Sequence, residues 1–337
     1  MIDATAVAAW MSTEGLGEGP LTDLRPIPGG SQNVMVRFAR AGREYVLRRG
    51  PEHLRARSNA SILRETTVLS ALAQTGVPHP RLIAACADPG VLGDAVFLLM
   101  DPVDGFNVSV ELPPSHAASG APMALALADA LAALGAVDHE TVGLSGFGKP
   151  DGFLERQVPR WLSELDSFRS EAFEPEIPGV AAVAAWLEER RPARWRPGIM
   201  HGDYHAANVM FATDRPAVAA IVDWEMATIG DPLLDLGWLL ATWRLPGADG
   251  VFGGPLMAAG GLPGPDALAE RYGARSERDL SALRWYTVLA CFKLGIVLEG
   301  TLARAHAGQA PMETGRALHA TTLRLFERAQ ELMETPS

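Results

Sequence analysis

Two stretches decide how this chain is read: Ile199-Met200-His201-Gly202-Asp203-Tyr204-His205-Ala206-Ala207-Asn208-Val209-Met210-Phe211, and then Ile221-Val222-Asp223-Trp224-Glu225. Short apolar runs, Val209–Phe211 and Val218–Val222, read as the two strands of a hairpin. Polar, chemistry-bearing residues stand immediately before the first strand and immediately after the second. An acid comes five positions before an amide, and another acid follows the second strand.

That order matches the parts needed to move a phosphoryl group. An acid at Asp203 can orient a hydroxyl and take its proton. Asn208 can offer a neutral oxygen to Mg²⁺, and Asp223 an anionic one that joins metal to phosphates. Two rival readings are weaker. His201, Asp203 and His205 alternate as zinc ligands could on a strand, but the remaining histidines (53, 79, 116, 139, 306, 319) supply no second cluster. Gly143-Leu144-Ser145-Gly146-Phe147-Gly148-Lys149-Pro150 comes close to a P-loop, but Pro150 lacks the hydroxyl needed for Mg²⁺ and opposes the helix that should begin there.

Working outward, the first hundred residues mix strand and helix. A short helix is predicted over Asp3–Met11, a loop over Gly15–Pro20, and strands over Val34–Ala39 and Glu44–Arg48 around a turn at Ala41-Gly42-Arg43. Ser58–Thr75 reads as a helix with an apolar stripe through Ile62, Leu69 and Leu72, ended by Gly76 and Pro78. Strands Arg81–Ala85 and Val96–Met100 follow. Beyond the linker-like 101–105 the pattern is mostly helical: Met123–Val137, Phe153–Phe168, Val180–Arg190, Pro232–Thr242, Asp279–Ala305 with an interruption, and Pro311–Glu334. Gly- and Pro-rich Leu245–Gly264 reads as a surface loop that could serve as a lid. The expectation is an α+β, two-lobed chain: a nucleotide-binding lobe over 1–100, a hinge over 101–105 and a helical lobe over 106–337. Ligands are expected in the cleft at the junction.

The motif His201-Gly202-Asp203-x₄-Asn208, with Ile221-Val222-Asp223-Trp224-Glu225 and Gly230-Asp231-Pro232-x-x-Asp235-Leu236, resembles the aminoglycoside phosphotransferase family, which has a protein-kinase-like fold. Tyr45-Val46-Leu47-Arg48-Arg49 and the run from Phe292 to Gln309 are similar to the branch of kinase domains associated with acyl-CoA dehydrogenases. The chain is expected to be a free-standing kinase domain.

The resemblance implies roles residue by residue. Gly29, Gly30, Ser31 and Asn33 would fold their backbone N–H groups over phosphates; read alone they are a tight turn. Arg48 stands where these folds usually carry a lysine, with Arg49 on the solvated face. Glu65, an acid on an apolar stripe, would pair with Arg48; Arg64 and Arg81 are the alternative partners. The backbone of Asp101 and Val103 would bond the adenine edge, with Met100 behind it or simply in the core. His201 is read as a buried structural histidine, Asp231 before Pro232 as a helix cap, and Asp235 as the acid that braces the catalytic loop. His205 would contact phosphate or substrate, or else solvent; Glu225 and Arg304 are further candidate contacts.

Composition agrees with an enzyme. The 337 residues are 48% apolar and 20% charged, with a net charge of −11 and no long basic run, which disfavours nucleic acid. Cys86 and Cys291 sit in apolar surroundings and read as reduced core thiols. The N-terminus carries no leader pattern. Met123–Val137, taken as the most apolar segment, is too short to span a bilayer, so a cytoplasmic protein without a membrane partner is expected. The expected reaction uses ATP, or GTP, with Mg²⁺ to phosphorylate a metabolite hydroxyl. The acceptor is a hydroxyacyl-CoA, an aminoglycoside or a small alcohol such as choline. A nucleotide-binding pseudokinase is the non-catalytic alternative, raised by Arg48. Arg271, Lys293, Arg304 and Arg316, with Leu256, Met257 and Trp285, are expected on the acceptor side, where they would suit an acyl chain and an anionic carrier. The scattered acids Asp249, Asp266, Glu270, Glu299 and Glu313 are expected there too. Oligomeric state is left open.

Overall fold

The alternating residues around Ala41-Gly42 form a tight hairpin, with strand β2 (Val34–Arg40) paired antiparallel to β3 (Arg43–Arg49) from Val34↔Arg49 to Arg40↔Arg43. Both turn residues take positive φ, 49° at Ala41 and 77° at Gly42, as a two-residue hairpin turn requires. The computed structural model describes residues 2–27, 33–51, 53, 57–247 and 252–335. The chain forms two units, Met1–Gly105 with Ala219–Ala227, and Phe106–Val218 with Thr228–Ser337.

In the first unit, helix α1 (Ala4–Thr13) is capped by Asp3, whose carboxylate accepts the Thr5 and Ala6 N–H groups at 3.0 Å. Strand β1 (Thr22–Pro26), helix α2 (Ser58–Leu72), β4 (Leu82–Cys86) and β5 (Phe97–Met100) complete an antiparallel sheet in the order β1-β2-β3-β5-β4. β1 is absent from the sequence reading because all its residues are exposed, so no buried stripe marks it. One face of the sheet, with Val36, Phe38, Tyr45, Leu47, Phe97 and Leu99, packs with Val7 and Met11 of α1. Neighbouring strand positions point to opposite faces. Arg48 therefore points away from that cluster, and α2 places Glu65 against it. Arg49, expected in solvent, is half-buried and donates to the Gly50 and Pro51 carbonyls.

Ala219–Ala227 is assigned to the helical lobe in the sequence reading, but it clusters with the first unit. The Ile221 N–H donates to the Pro78 carbonyl at 2.9 Å, and the Arg64 Nε to the Ala227 carbonyl at 2.7 Å. A segment distant in sequence is thus tied into this unit by one backbone hydrogen bond and one from an arginine side chain to a backbone carbonyl.

The second unit runs through β6 (Phe106–Asn107), α3 (Gly120–Ala136), α4 (Gln157–Asp166), α5 (Val180–Glu189), β7 (Gly198–Met200) and β8 (Val209–Phe211). Strand β9 (Val218–Ile221) carries the chain into the Ala219–Ala227 segment. The remainder is β10 (Thr228–Gly230), α6 (Leu233–Thr242), α7 (Gly254–Ala258), α8 (Pro265–Gly273), α9 (Leu283–His306) and α10 (Met312–Glu334). Gly143–Pro150 is a turn with no helix starting at its end, which agrees with the rejection of a phosphate cradle there. Cys86 and Cys291 are free and buried.

Helix α9 corrects the expected interruption. It is continuous over 24 residues, and it is long and apolar enough by length and composition to cross a membrane, with a mean hydropathy of 1.5 in its best window. However, 78% of that window is buried inside the protein, and the helix carries buried Lys293 and Glu299, so α9 is the core helix of this unit. It meets α6 at Gly237, where a side-chain Cβ would fall 2.6 Å from the Tyr286 backbone; only glycine allows that approach. Arg328 of α10 donates to the carbonyls of Leu240, Ala241 and Trp243, satisfying the C-terminal end of α6.

Leu245–Gly264 is also more ordered than predicted. Its described part contains α7, and Phe252, Leu256, Met257 and Leu262 are buried. Residues 248–251 lie outside the described residues, Asp249 among them.

Candidate active site

The catalytic loop begins where β7 ends. β7 pairs antiparallel with β10, setting Met200 opposite Thr228, and α6 starts just after β10. This path brings Asp235, in the first turn of α6, beneath the loop. Its carboxylate accepts the His201 N–H at 2.6 Å and the Gly202 N–H at 2.9 Å. Gly202 sits at φ +87°, a conformation that lets consecutive N–H groups converge on one carboxylate and that a side chain would strain. Burial pushes the Asp235 carboxyl up from its ordinary value, while His201 and the two backbone donors pull against it.

Asp231 acts as a cap, accepting the Leu233 N–H at 3.0 Å and the Tyr286 hydroxyl at 2.6 Å. The assigned helix starts one residue after Pro232, within the usual uncertainty of a boundary. His201 is fully buried, and its Nδ1 accepts the Asp203 N–H at 3.3 Å. Tyr204 anchors the loop to α3 through a 2.8 Å bond to the Leu127 carbonyl.

Asp203 and Asn208 are brought together directly. The Asn208 side-chain N–H donates to the Asp203 carboxylate and to its carbonyl, each at 2.9 Å. A turn of 3₁₀ helix over Ala206–Asn208 sets this spacing. His205 is not the solvent residue of one sequence reading. It is buried, with Nε2 3.5 Å from the Asp203 carboxylate and 3.3 Å from the Asn208 amide nitrogen, and Phe252 packs edge-on to its ring at 5.5 Å. Burial disfavours ionising Asp203, but His205, His201 and Lys293 more than compensate and hold its carboxyl below the ordinary range. The Asp203 side chain keeps 30% of its surface exposed, so a substrate hydroxyl can reach it.

The first unit holds a separate set of charges. Arg48 lies 2.8 Å from Glu65 through Nε and 2.5 Å from Asp223 through Nη2. Arg48–Glu65 is thus an ion pair, as expected over Arg64 or Arg81, although the Nε–H is not aligned for a hydrogen bond. Burial pushes the Glu65 carboxyl up to about 7 against the pull of Arg48 and a Trp224 backbone donor. Burial also opposes charge on Arg48, but Glu65 and Asp223 outweigh it, so the guanidinium stays charged. Asp223 takes a left-handed backbone, φ 68° and ψ 64°, which is strained for a residue with a side chain. Asn33 donates to Glu225 at 3.2 Å. Gly29, Gly30 and Ser31 lie outside the described residues.

Met100 is buried in β5, opposite Val46 and Leu82. The Asp101 N–H donates to the Arg81 carbonyl, and its carboxylate pairs with Arg43 and Arg81, while Val103 is half-buried. Taken as residue types, the carboxylate of Asp223 and the amide of Asn208 are hard oxygen donors of the kind Mg²⁺ takes. Mg²⁺ ordinarily completes its shell with waters and substrate phosphates.

Two of the cations expected on the acceptor side, Arg271 and Lys293, are engaged within the protein. Arg271 of α8 forms a two-pronged pair with Asp129 of α3, both bonds 2.7 Å. Arg304 is exposed and bonds Thr301 of its own helix, about 16 Å along α9 from Lys293 at 1.5 Å rise per residue. Trp285 is buried, with its indole N–H on the Leu187 carbonyl. Lys293 lies beneath the catalytic loop, its Nζ 3.3 Å from the Gly202 carbonyl. That contact with the loop is not foreseen in the sequence reading, where the signal is a lone lysine in an apolar helical run.

Comparison with known proteins bears on all of this. The profile of the phosphotransferase enzyme family matches residues 23–286. Acyl-CoA dehydrogenase family member 11 of Gallus gallus is 28% identical over 318 residues, 92% of this chain and 40% of that protein. Family member 10 of Mus musculus is 26% identical over 303 residues, 88% of this chain and 28% of that protein. The chain therefore spans less than half the length of these curated relatives. A solved structure from Ralstonia eutropha, provisionally assigned as an aminoglycoside phosphotransferase, is similar at a TM-score of 0.80 and 29% identity, covering 98% of this chain and 99% of that one. The fold is α+β and kinase-like, and the family match runs from β1 into the start of α9; the chain belongs to the phosphotransferase enzyme family.

Proposed function

We propose that this enzyme phosphorylates the hydroxyl of a hydroxyacyl-CoA or a related hydroxylated acyl metabolite, with Asp203 as base and Asn208 and Asp223 as Mg²⁺ ligands. The acceptor assignment is carried by one observation: nearly the whole chain is similar to a portion of acyl-CoA dehydrogenase family members 10 and 11. Proteins bearing that name are acyl-CoA enzymes, and a kinase portion joined to one is best placed to act on the same class of molecule. The cations once expected to greet an anionic carrier do not add to this reading, because Arg271 and Lys293 are engaged within the protein. The alternative acceptor, an aminoglycoside, is favoured by the assignment of the Ralstonia eutropha structure.

In this mechanism the acceptor hydroxyl donates to the Asp203 carboxylate, which orients it and takes its proton as the oxygen–phosphorus bond forms and the bond to the leaving nucleotide diphosphate breaks. Asn208 fixes the carboxylate through its N–H, and its amide oxygen would help hold the metal. Bound Mg²⁺ would neutralise the phosphate charge. Arg48 holds Asp223 and contributes a permanent positive charge in the place of the usual lysine. Nucleotide bonding through the Asp101 and Val103 backbone, and cytoplasmic residence, belong to the same proposal. ADP release from Mg²⁺-ATP by purified protein, with hydroxyacyl-CoA compounds and with kanamycin-type aminoglycosides in parallel, tests the acceptor. Turnover of the first group supports the reading. Turnover of aminoglycosides alone would replace the acceptor and leave the phosphotransferase assignment standing.

A further inference from the structure

Lys293 is an unexpected residue for its position. It lies in the core helix α9, is buried, and is surrounded by apolar residues. A methionine would fill the same space without burying a charge, and burying an ammonium is costly unless it is well partnered. Its partners are specific. Nζ sits 3.3 Å from the Gly202 carbonyl, 4.6 Å from the ring centroid of Trp238 (α6) and 5.5 Å from that of Trp161 (α4). Both indole Nε1 atoms are buried without a hydrogen-bond partner. Buried tryptophans ordinarily find one. These rings are therefore placed for their faces, which hold a cation, and not for their N–H groups.

The carbonyl they direct the lysine toward belongs to the peptide linking Gly202 to Asp203. On the other side of the loop, Asp235 takes the N–H groups of His201 and Gly202. We propose that Lys293 is a positioning residue for phosphoryl transfer: held between Trp161 and Trp238, it grips the Gly202 carbonyl so that the backbone carrying Asp203 is clamped between an ammonium and the Asp235 carboxylate. The inference rests on Asp203 being the base. Lys293 does not touch substrate; it sets where the Asp203 carboxylate stands. The clamp needs the charged form. Burial lowers the Lys293 pKa to about 8, with Asp235 (α6) and Asp203 (loop) raising it and Arg160 (α4) lowering it; His201, Tyr204 and His205 are the other titratable residues of the loop. Protonation is thus retained at neutral pH and lost as pH rises through about 8.

The test uses the full chain with Mg²⁺-ATP and whichever acceptor, hydroxyacyl-CoA or kanamycin, is turned over. Lys293→Met should lower kcat on the order of 10²-fold, as misplacing a catalytic group by about 1 Å does, with the KM for ATP within about twofold. Lys293→Arg should recover much of kcat and should lack the loss of kcat that wild type shows above pH 8. Hydrogen exchange of the 198–211 segment in wild type, corrected for intrinsic rates, should rise over the same pH range, and this needs neither a variant nor an acceptor. Wild-type kcat in a folded Lys293→Met, an alkaline limb unchanged in Lys293→Arg, or exchange flat across pH 8 would each overturn the clamp. Asp203→Asn run alongside separates the two ideas. If it keeps turnover, the base assignment fails; if it is dead while Lys293→Met is fully active, only the clamp fails.

Discussion

The Arg48–Glu65–Asp223 set of the first unit and the Asp203 loop of the second are held in different ways. The first is joined side chain to side chain, through a long guanidinium 2.8 Å from one acid and 2.5 Å from the other. The second is held through its backbone, with the N–H groups of residues 201, 202 and 203 each accepted and the Gly202 and Asp203 carbonyls each donated to. A guanidinium can turn to a new partner through rotamer changes, so the first arrangement can rearrange when a metal takes an Asp223 oxygen. A peptide pinned at every polar group cannot. The proposed metal and nucleotide binding would call for the adaptable set, and the proposed base, which has to meet a hydroxyl at hydrogen-bond distance, for the rigid one.

Breaking the backbone brace should have the largest effect. Asp235→Ala leaves two buried N–H groups and the Lys293 ammonium without their carboxylate. A loss of about 3–5 kcal/mol, typical of stranding a buried charge partner, is expected in urea unfolding. A loss below about 1 kcal/mol would mean the loop does not depend on this brace. Asp203→Asn comes next. The amide keeps size and hydrogen bonding but cannot accept the proton, so kcat should fall at least roughly 10²-fold while nucleotide affinity stays. Wild-type turnover would remove Asp203 from the role of base.

In the adaptable set, Asp223→Ala should abolish the Mg²⁺ dependence of ATP binding, and Asn208→Ala should weaken it less, because the carboxylate is the anionic ligand. ATP titrations with and without Mg²⁺ would show this, and equal dependence in Asp223→Ala and wild type would count against it. A smaller effect is the coupling between Arg48 and Glu65, on the order of 0.5–3 kcal/mol in a double-mutant cycle of Arg48→Lys and Glu65→Gln. The pair also has a pH signature. The folded Glu65 carboxyl stays protonated up to about 7 against an ordinary 4.5, so the unfolded chain binds fewer protons in between. Stability should therefore fall as pH rises through that window, and Glu65→Gln should flatten the slope. The smallest effect is expected at Arg37–Glu44, in contact at 2.6 Å but about half exposed on both sides, where a cycle should give less coupling than Arg48–Glu65 because solvent screens the pair. If this exposed pair matched Arg48–Glu65, burial would not be what distinguishes them.

The sequence by itself determined the features that depend on near neighbours in the chain. Asp203 and Asn208 are five residues apart, and one 3₁₀ turn suffices to join them. Asp231 and Pro232 mark where the next helix begins, and the family resemblance then reads Asp235, one turn later, as the brace. Arg48 and Glu65 could be paired because strand alternation and helix periodicity each select a face. Tertiary structure decided what depends on where distant segments meet. Ala219–Ala227 donates and accepts through its backbone, to the Pro78 carbonyl and from the Arg64 side chain, and backbone groups are the same in every residue, so nothing in the segment's own side chains announces these two bonds. β1 is exposed throughout and has no apolar stripe to read. Arg271 could have met an acceptor or Asp129, and only the packing of α8 against α3 settles which. Lys293 lies 91 residues from the carbonyl it holds. In sequence it is a lysine in an apolar helix; its meaning comes from two tryptophans and a peptide group that folding alone brings to it.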